Sequence, residues 1–258
     1  MPNGDYYWEN TPNFNSQKKM KKQLLLIAFI ALLPVFGCAQ TTFVLSMGVS
    51  NYGDESANLH NPSKDAKAIA DLFRKQKDSK VSVVTSSNVT QGNIKRHLEA
   101  IQQLAKPQDK VIVFFSGHGT QNNLVFHDGL FNFIDLIDLL KQMKTKKIFV
   151  FIDACRSGSV TNSTPNYEWN GEKAASMSFM MGCRAEEYSF ENQWLDNGFF
   201  TQALILALRG KADTNKDRKI TLMEAFKYVH KDVSTRESRQ HPQLIASSSL
   251  YDEVLTAW

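Results

Sequence analysis

The chain has 258 residues, 42% of them hydrophobic and 22% charged, with 30 Lys and Arg against 26 Asp and Glu for a formal charge of +4. That balance supplies a core of ordinary size and argues against a disordered, collagen-like or polytopic membrane chain. Three cysteines are too few for a disulfide scaffold, and no Cys-x-x-Cys pair suggests a zinc site.

Residues 1–39 read as a leader. Lys18, Lys19, Lys21 and Lys22 precede the apolar run from Leu24 to Phe36, and the small residues Gly37, Cys38 and Ala39 follow it. This is the basic, apolar and small-residue order of a secretory signal cut after Ala39, and the run is short for a bilayer span. Residues 1–19 are polar and aperiodic, which makes Met20 a second candidate start. A lipoprotein signal with Cys38 as the lipidated residue is the rival reading, disfavoured by the bulky Phe36, and a retained anchor is the other. The expected location is outside the cytoplasm, periplasmic or secreted, with no membrane association unless Cys38 is lipidated. Removing the leader takes the four lysines with Asp5 and Glu9. What remains is close to neutral, without a polybasic tract, so nucleic-acid binding is disfavoured.

Residues 40–258 read as one domain of alternating strands and helices. Thr42–Val49 is an apolar run of strand formers ending in a Ser50-Asn51-Tyr52-Gly53 turn. Asn61-Pro62-Ser63 opens a helix in which Ala66, Ile69, Ala70 and Phe73 recur at helical spacing. Val81–Thr85 is a short strand, and Thr90 caps a helix striped by Ile94, Leu98, Ile101 and Leu104. Val111–Phe115 and Ile148–Ile152 are continuous apolar runs, as for strands buried on both faces of a parallel sheet, with a helix at Phe133–Met143 between them. Residues 157–176 form a long polar loop. Then come a strand at Met177–Met181, helices at Phe199–Leu208 and Leu222–Val233, and a final piece, Gln240–Ile245, whose Pro242 suits an edge strand. The alternation predicts an α/β fold with a parallel sheet covered by helices on both faces.

Two segments carry chemistry. Ser116-Gly117-His118-Gly119 follows one doubly buried strand and Asp153-Ala154-Cys155-Arg156-Ser157-Gly158 follows the other. Ligands of open α/β sheets gather beyond the carboxyl ends of the strands, so a His and a Cys there face one crevice. A thiol becomes a good nucleophile on losing its proton, and an imidazole titrating near neutrality is the natural acceptor. The N–H groups of Gly119 and Cys155 are then placed to stabilise an oxyanion.

The pair of motifs, in this order and in these strand contexts, resembles the caspase and metacaspase family of cysteine peptidases and its bacterial relatives over essentially residues 42–248. The resemblance implies a mostly parallel six-stranded sheet with helices on both faces. It implies Cys155 as nucleophile, His118 as general acid/base and Gly119 in the oxyanion hole. Asp65, Ser116 and Asp153 match the metacaspase pocket for the residue preceding the cut. Two carboxylates there favour a peptide or protein substrate with Arg or Lys before the scissile bond. Two departures stand out: Asn61-Pro62-Ser63-Lys64 replaces a Gly- and Cys-containing stretch, with Lys64 placed to offset the pocket charge, and Arg156 stands where His is common, expected to point outward or to serve as a self-cleavage point. Within the loop Lys173 is the most plausible maturation cut, with Arg184 beyond the next strand, against an uncut linker. No cofactor is required and a monomer is expected. A catalytically silent partner-binding module is the alternative. A non-peptidase α/β hydrolase is disfavoured because no Gly-x-Ser-x-Gly elbow occurs.

A third signal is Asp213, Asn215, Asp217, Lys219 through its carbonyl, Thr221 and Glu224, which match the ligand positions of an EF-hand calcium loop. Arg218 stands where that loop has Gly, and the competing reading is that Asp217 or Thr221 caps the following helix. His127 is expected in a turn or hairpin, and His60, His97, His230 and His241 at the surface or in loops. Cys183 reads as a small buried filler, reduced like Cys155. Met177, Met180 and Met181 are expected in the core, and Trp194, Phe199 and Phe200 there rather than in outer substrate pockets.

Overall fold

The computed structural model describes residues 39–160, 177–189 and 197–258; residues 1–38 of the expected leader, Lys173 and Trp194 lie outside them. The central elements, in chain order, are β1 (Thr42–Gly48), α1 (Pro62–Arg74), β2 (Ser79–Thr85), α2 (Gln91–Leu104) and β3 (Lys110–Ser116). A small antiparallel sheet follows, β4 (Gly119–Thr120), β5 (Asn123–Phe126) and β6 (Gly129–Asn132), and then α3 (Phe133–Lys141), β7 (Ile148–Asp153) and β8 (Met177–Met181). The chain continues through α4 (Phe199–Leu206), β9 (Lys219–Thr221), α5 (Leu222–Arg236), β10 (Gln243–Ala246) and β11 (Val254–Ala257).

The main sheet has six strands in the order β10-β8-β7-β3-β1-β2, all parallel except β10, which runs antiparallel at one edge. Period-two alternation divides its side chains between two layers. Phe43, Leu45, Met47, Val111, Val113, Phe115, Ile148, Val150 and Ile152 face α2 and α3. Val44, Ile112, Phe114, Phe149 and Phe151 face α1, α4 and α5. Both faces are dry, which is why these strands read as unbroken apolar runs. Each fully buried Phe on them contributes roughly 1.5–3 kcal/mol of transfer free energy. The helices begin where their sequences say: Thr90 Oγ1 accepts the Asn93 N–H at 3.3 Å and Asn132 Oδ1 accepts the Ile134 N–H at 2.8 Å.

Three features depart from the expectation. Residues 119–132 form the β4–β6 sheet, with His127 at its second turn, because strands of two to four residues leave no periodicity to read. The chain does not end its order at Ile245: β11 pairs antiparallel with β9. The segment expected to open a long loop at Ser157 begins instead as a buried 3-10 turn, Ser157–Ser159, whose polar atoms are satisfied internally. Gly158 N–H donates to Cys183 O at 3.1 Å, and Ser159 Oγ accepts the Asn122 N–H at 3.0 Å. Residues 161–176 of that expected loop lie outside the described residues.

Candidate active site

The parallel pairing of β3 with β7 sets Ser116 opposite Asp153 at the carboxyl ends of adjacent strands. Two residues further along each chain stand His118 and Cys155, and both line one cleft with Leu59, Ser116, Asp153 and Ser189. The two turns are held together by backbone: Gly117 N–H donates to Asp153 O at 3.2 Å. Gly119 is required by close approach, since a Cβ there would run into the carbonyl oxygen of Cys155 and lie 3.1 Å from the Ala154 methyl.

The imidazole of His118 is held through Nε2, 2.8 Å from the carbonyl oxygen of Ala57. A carbonyl only accepts, so Nε2 carries the proton and, in the neutral ring, Nδ1 carries the lone pair. Cys155 is a half-buried thiol whose Sγ lies 3.8 Å from the carbonyl oxygen of Ser189. Its turn is buttressed by the 182–189 segment, where Glu187 O accepts the Arg156 N–H at 2.9 Å. Arg156 adopts the left-handed conformation, φ 56°, and lines a neighbouring cavity with Gln121, Ser159 and Glu186, its guanidinium 6.0 Å from the Tyr188 ring. It is thus turned out of the cleft, as expected.

Asp65, on the first turn of α1, and Asp153, at the end of β7, are buried, with 1% and 6% of their surface exposed. Their carboxylates converge on Gly198, where a Cβ would lie 2.8 Å from Asp153 Oδ2 and 3.7 Å from Asp65 Oδ2. Asp65 accepts from Ser116 Oγ at 2.7 Å, Asn197 Nδ2 at 2.8 Å and Gly198 N–H at 3.3 Å. Asp153 accepts from Ser189 Oγ, Thr201 Oγ1 at 2.7 Å and Thr201 N–H at 3.1 Å. Every donor is neutral. Among the described residues no Lys, Arg or His forms an ion pair with either acid, and Lys64 is exposed. Burial, and then the charge of Asp153, pushes the Asp65 carboxyl up to about 8; burial likewise raises Asp153 against its hydrogen bonds.

Cys183 is fully buried as expected, with Sγ 3.3 Å from Ala154 O, and burial pushes its thiol up to about 11, far from nucleophilic use. Among the described residues no disulfide joins it to Cys155. His127 sits in the hairpin turn with Nδ1 2.9 Å from Asn51 O. His241 departs from the solitary surface role expected of it: Nδ1 lies 2.7 Å from Glu187 Oε1, and its N–H donates to Glu187 Oε2 at 2.8 Å. His230 stands on α5 against Pro242 O rather than in a loop. Met177, Met180, Met181 and Phe200 are core residues, and Phe199 packs against the layer that holds Met180 and Phe200.

In the 213–224 loop the carboxylates bond their own backbone. Asp213 accepts the N–H groups of Lys216, Asp217 and Arg218, and Asp217 accepts that of Lys219. Thr221 and Glu224 form a reciprocal capping box on α5, the competing reading of this segment. Lys219 and Thr221 lie on β9. Among the described residues no three His, Cys, Asp or Glu side chains are grouped to hold a metal ion.

Five residues around the site were not named from the sequence. Asn197, Ser189, Thr201 and Gln240 reach the pocket from distant segments, and Tyr52, in a recognised turn, contacts the main chain and ring of His118 outside the cleft.

A sheet of this order, with a thiol and an imidazole beyond two central parallel strands, defines an α/β fold with a Cys–His cleft. The family model of the caspase domain matches residues 41–254, and the chain belongs to that family. Among solved structures, the crystal structure of protein GSU0716 from Geobacter sulfurreducens is similar in fold. Its TM-score is 0.62 at 16% identity, and the match covers 84% of this chain and 99% of that one. No curated protein matches the sequence.

Proposed function

We propose that this protein is a cysteine endopeptidase that cuts peptide bonds after Arg or Lys, with Cys155 as nucleophile and His118 as general acid/base. The observation that carries the reading is the pair of buried carboxylates, Asp153 in the cleft with the thiol and imidazole and Asp65 joined to that cleft through Ser116, with no cation among the described residues ion-paired to either. A guanidinium or ammonium entering from a substrate supplies that missing charge, and an acidic side chain is repelled.

In the proposed reaction Nδ1 of His118 takes the Cys155 proton and Sγ adds to the substrate carbonyl carbon. The oxyanion is met by the N–H groups of Gly119 and Cys155. Collapse breaks the C–N bond, the leaving amine takes the proton from Nδ1, and a thioester remains on Cys155. Water, deprotonated by Nδ1, then attacks the thioester; the acid leaves and the thiol regains its proton. These steps use groups of the chain itself and require no cofactor. The Lys18–Ala39 segment supports an exported enzyme, checked by mass spectrometry of the N-terminus of the exported form.

The test is a panel of fluorogenic peptides ending in Arg, Lys or Asp. Turnover after Arg and Lys, lost in Cys155→Ala, is the expected result. Turnover only after Asp overturns the acidic pocket, and turnover unchanged in Cys155→Ala overturns the mechanism. Binding of Arg peptides without cleavage supports the silent module instead.

A further inference from the structure

We infer that Tyr52 is a positioning residue for His118, an inference that rests on the peptidase reading above and adds a second point of control over its base. Three contacts carry it. The Tyr52 hydroxyl accepts the backbone N–H of His118 at 2.6 Å. Its ring lies against the imidazole, centroids 4.7 Å apart and planes tilted by 41°. A Cβ on Gly117 would meet the hydroxyl at 2.7 Å, so Tyr52 is seated directly on the turn that carries the histidine.

The loop that holds Tyr52 also supplies the Ala57 carbonyl for Nε2. Asn58 couples the two points, its Oδ1 accepting the Tyr52 N–H at 2.9 Å, and Leu59 N–H closes the loop on Ser50 O at 3.1 Å. One short loop therefore grips His118 twice, at its main chain and ring face through Tyr52 and at Nε2 through Ala57. The imidazole torsion is soft and roughly two-fold, so a ring without a wall samples the flipped orientation, which exchanges Nδ1 with Cδ2 and Nε2 with Cε1 and takes Nε2 off the Ala57 carbonyl. Tyr52 removes that freedom, and the carbonyl fixes the tautomer. Tyr52 does not line the cleft, so its effect falls on the chemical step and not on substrate binding.

The experiment compares wild type, Tyr52→Phe and Tyr52→Ala in the full chain. It reads kcat and KM on an Arg-ended peptide against pH, the ¹⁵N signals of the His118 ring, and the rate at which iodoacetamide alkylates Cys155. Tyr52→Phe keeps the ring and folds as wild type; its kcat is expected to fall about 3- to 10-fold with KM unchanged, the effect of losing the hydrogen bond to the His118 N–H. Tyr52→Ala is expected to lose about 100-fold or more in kcat, with a mixed Nδ1/Nε2 tautomer and a displaced pH profile of alkylation. A folded Tyr52→Ala protein that keeps the Nε2–H tautomer and the wild-type alkylation profile overturns the inference. So does a loss of kcat in Tyr52→Phe that is matched by a loss of folded protein. Ring signals and alkylation need no substrate: if they respond while wild type cuts no peptide, the peptidase reading fails and the positioning role stands.

Discussion

Asp65 and Asp153 tie the pocket to pH. An exposed aspartate titrates near 3.8, whereas burial and the neighbouring charge bring Asp65 up to about 8. Between those values the folded protein holds a proton that the unfolded chain has released. The stability this proton represents is complete below about pH 4 and is lost as pH rises through about 8, with a slope of up to about 1.4 kcal/mol per pH unit. The melting temperature of the substrate-free protein is therefore expected to fall across that window in wild type and to flatten in Asp65→Asn, measured by calorimetry at several pH values. A bound cation reverses the preference by favouring the charged carboxylates. KM for Arg peptides should accordingly drop as pH rises towards 8, and Asp153→Asn should raise it about 30-fold or more, since it strands the substrate charge opposite a half-neutralised pocket. A KM for Arg peptides that Asp153→Asn leaves untouched would remove the acid pair from recognition.

At the scale of elements, α5 shows how one segment offers two explanations of the same residues. Glu224 Oε2 accepts the N–H of Thr221 at 3.0 Å and its hydroxyl at 2.9 Å, while Thr221 Oγ1 accepts the Glu224 N–H at 3.3 Å. This reciprocal cap predicts that Glu224→Ala costs about 1 kcal/mol in urea unfolding with EDTA present, because the loss is of backbone partners and not of an ion. Glu224→Gln, which retains an acceptor, should recover most of it. The neighbouring turn stores its difficulty in Lys216 and Arg218, both with φ of 62°, where side-chain-bearing residues are uncommon.

Across the whole molecule the site is assembled from segments far apart in the chain, and Gln240 is the clearest tie. It is fully buried ahead of β10, and its Nε2 donates to Gly182 O at 2.9 Å and to Ser189 Oγ at 3.2 Å, the latter hydroxyl also bonding Asp153. Gln240→Ala leaves the buried Gly182 carbonyl without this donor, a cost of about 1–3 kcal/mol. The released Ser189 should raise KM for Arg peptides while the alkylation rate of Cys155 stays at the wild-type value. Alkylation slowed as strongly as turnover would show instead that Gln240 supports the dyad.

The central strands, their burial on both faces and the positions of His118 and Cys155 beyond their ends were legible because each is local. Val111–Phe115 and Ile148–Ile152 are apolar throughout as both their faces are dry, and the His118 and Cys155 motifs follow them within a few residues. The small sheet around His127, the strand after Val254 and the buried turn at Ser157 were not, because two to four residues carry no period and a polar turn looks the same in sequence whether buried or exposed. Sequence alone thus determined the family and the central strands of the sheet, and put Cys155 and His118 just beyond two of them. Only tertiary structure decided that Tyr52 and Ala57 grip the imidazole, that Ser189, Asn197 and Thr201 satisfy the acids, and that no described cation offsets them. Hydrogen bonds that close over 36 to 132 residues leave no mark on the local pattern of the chain.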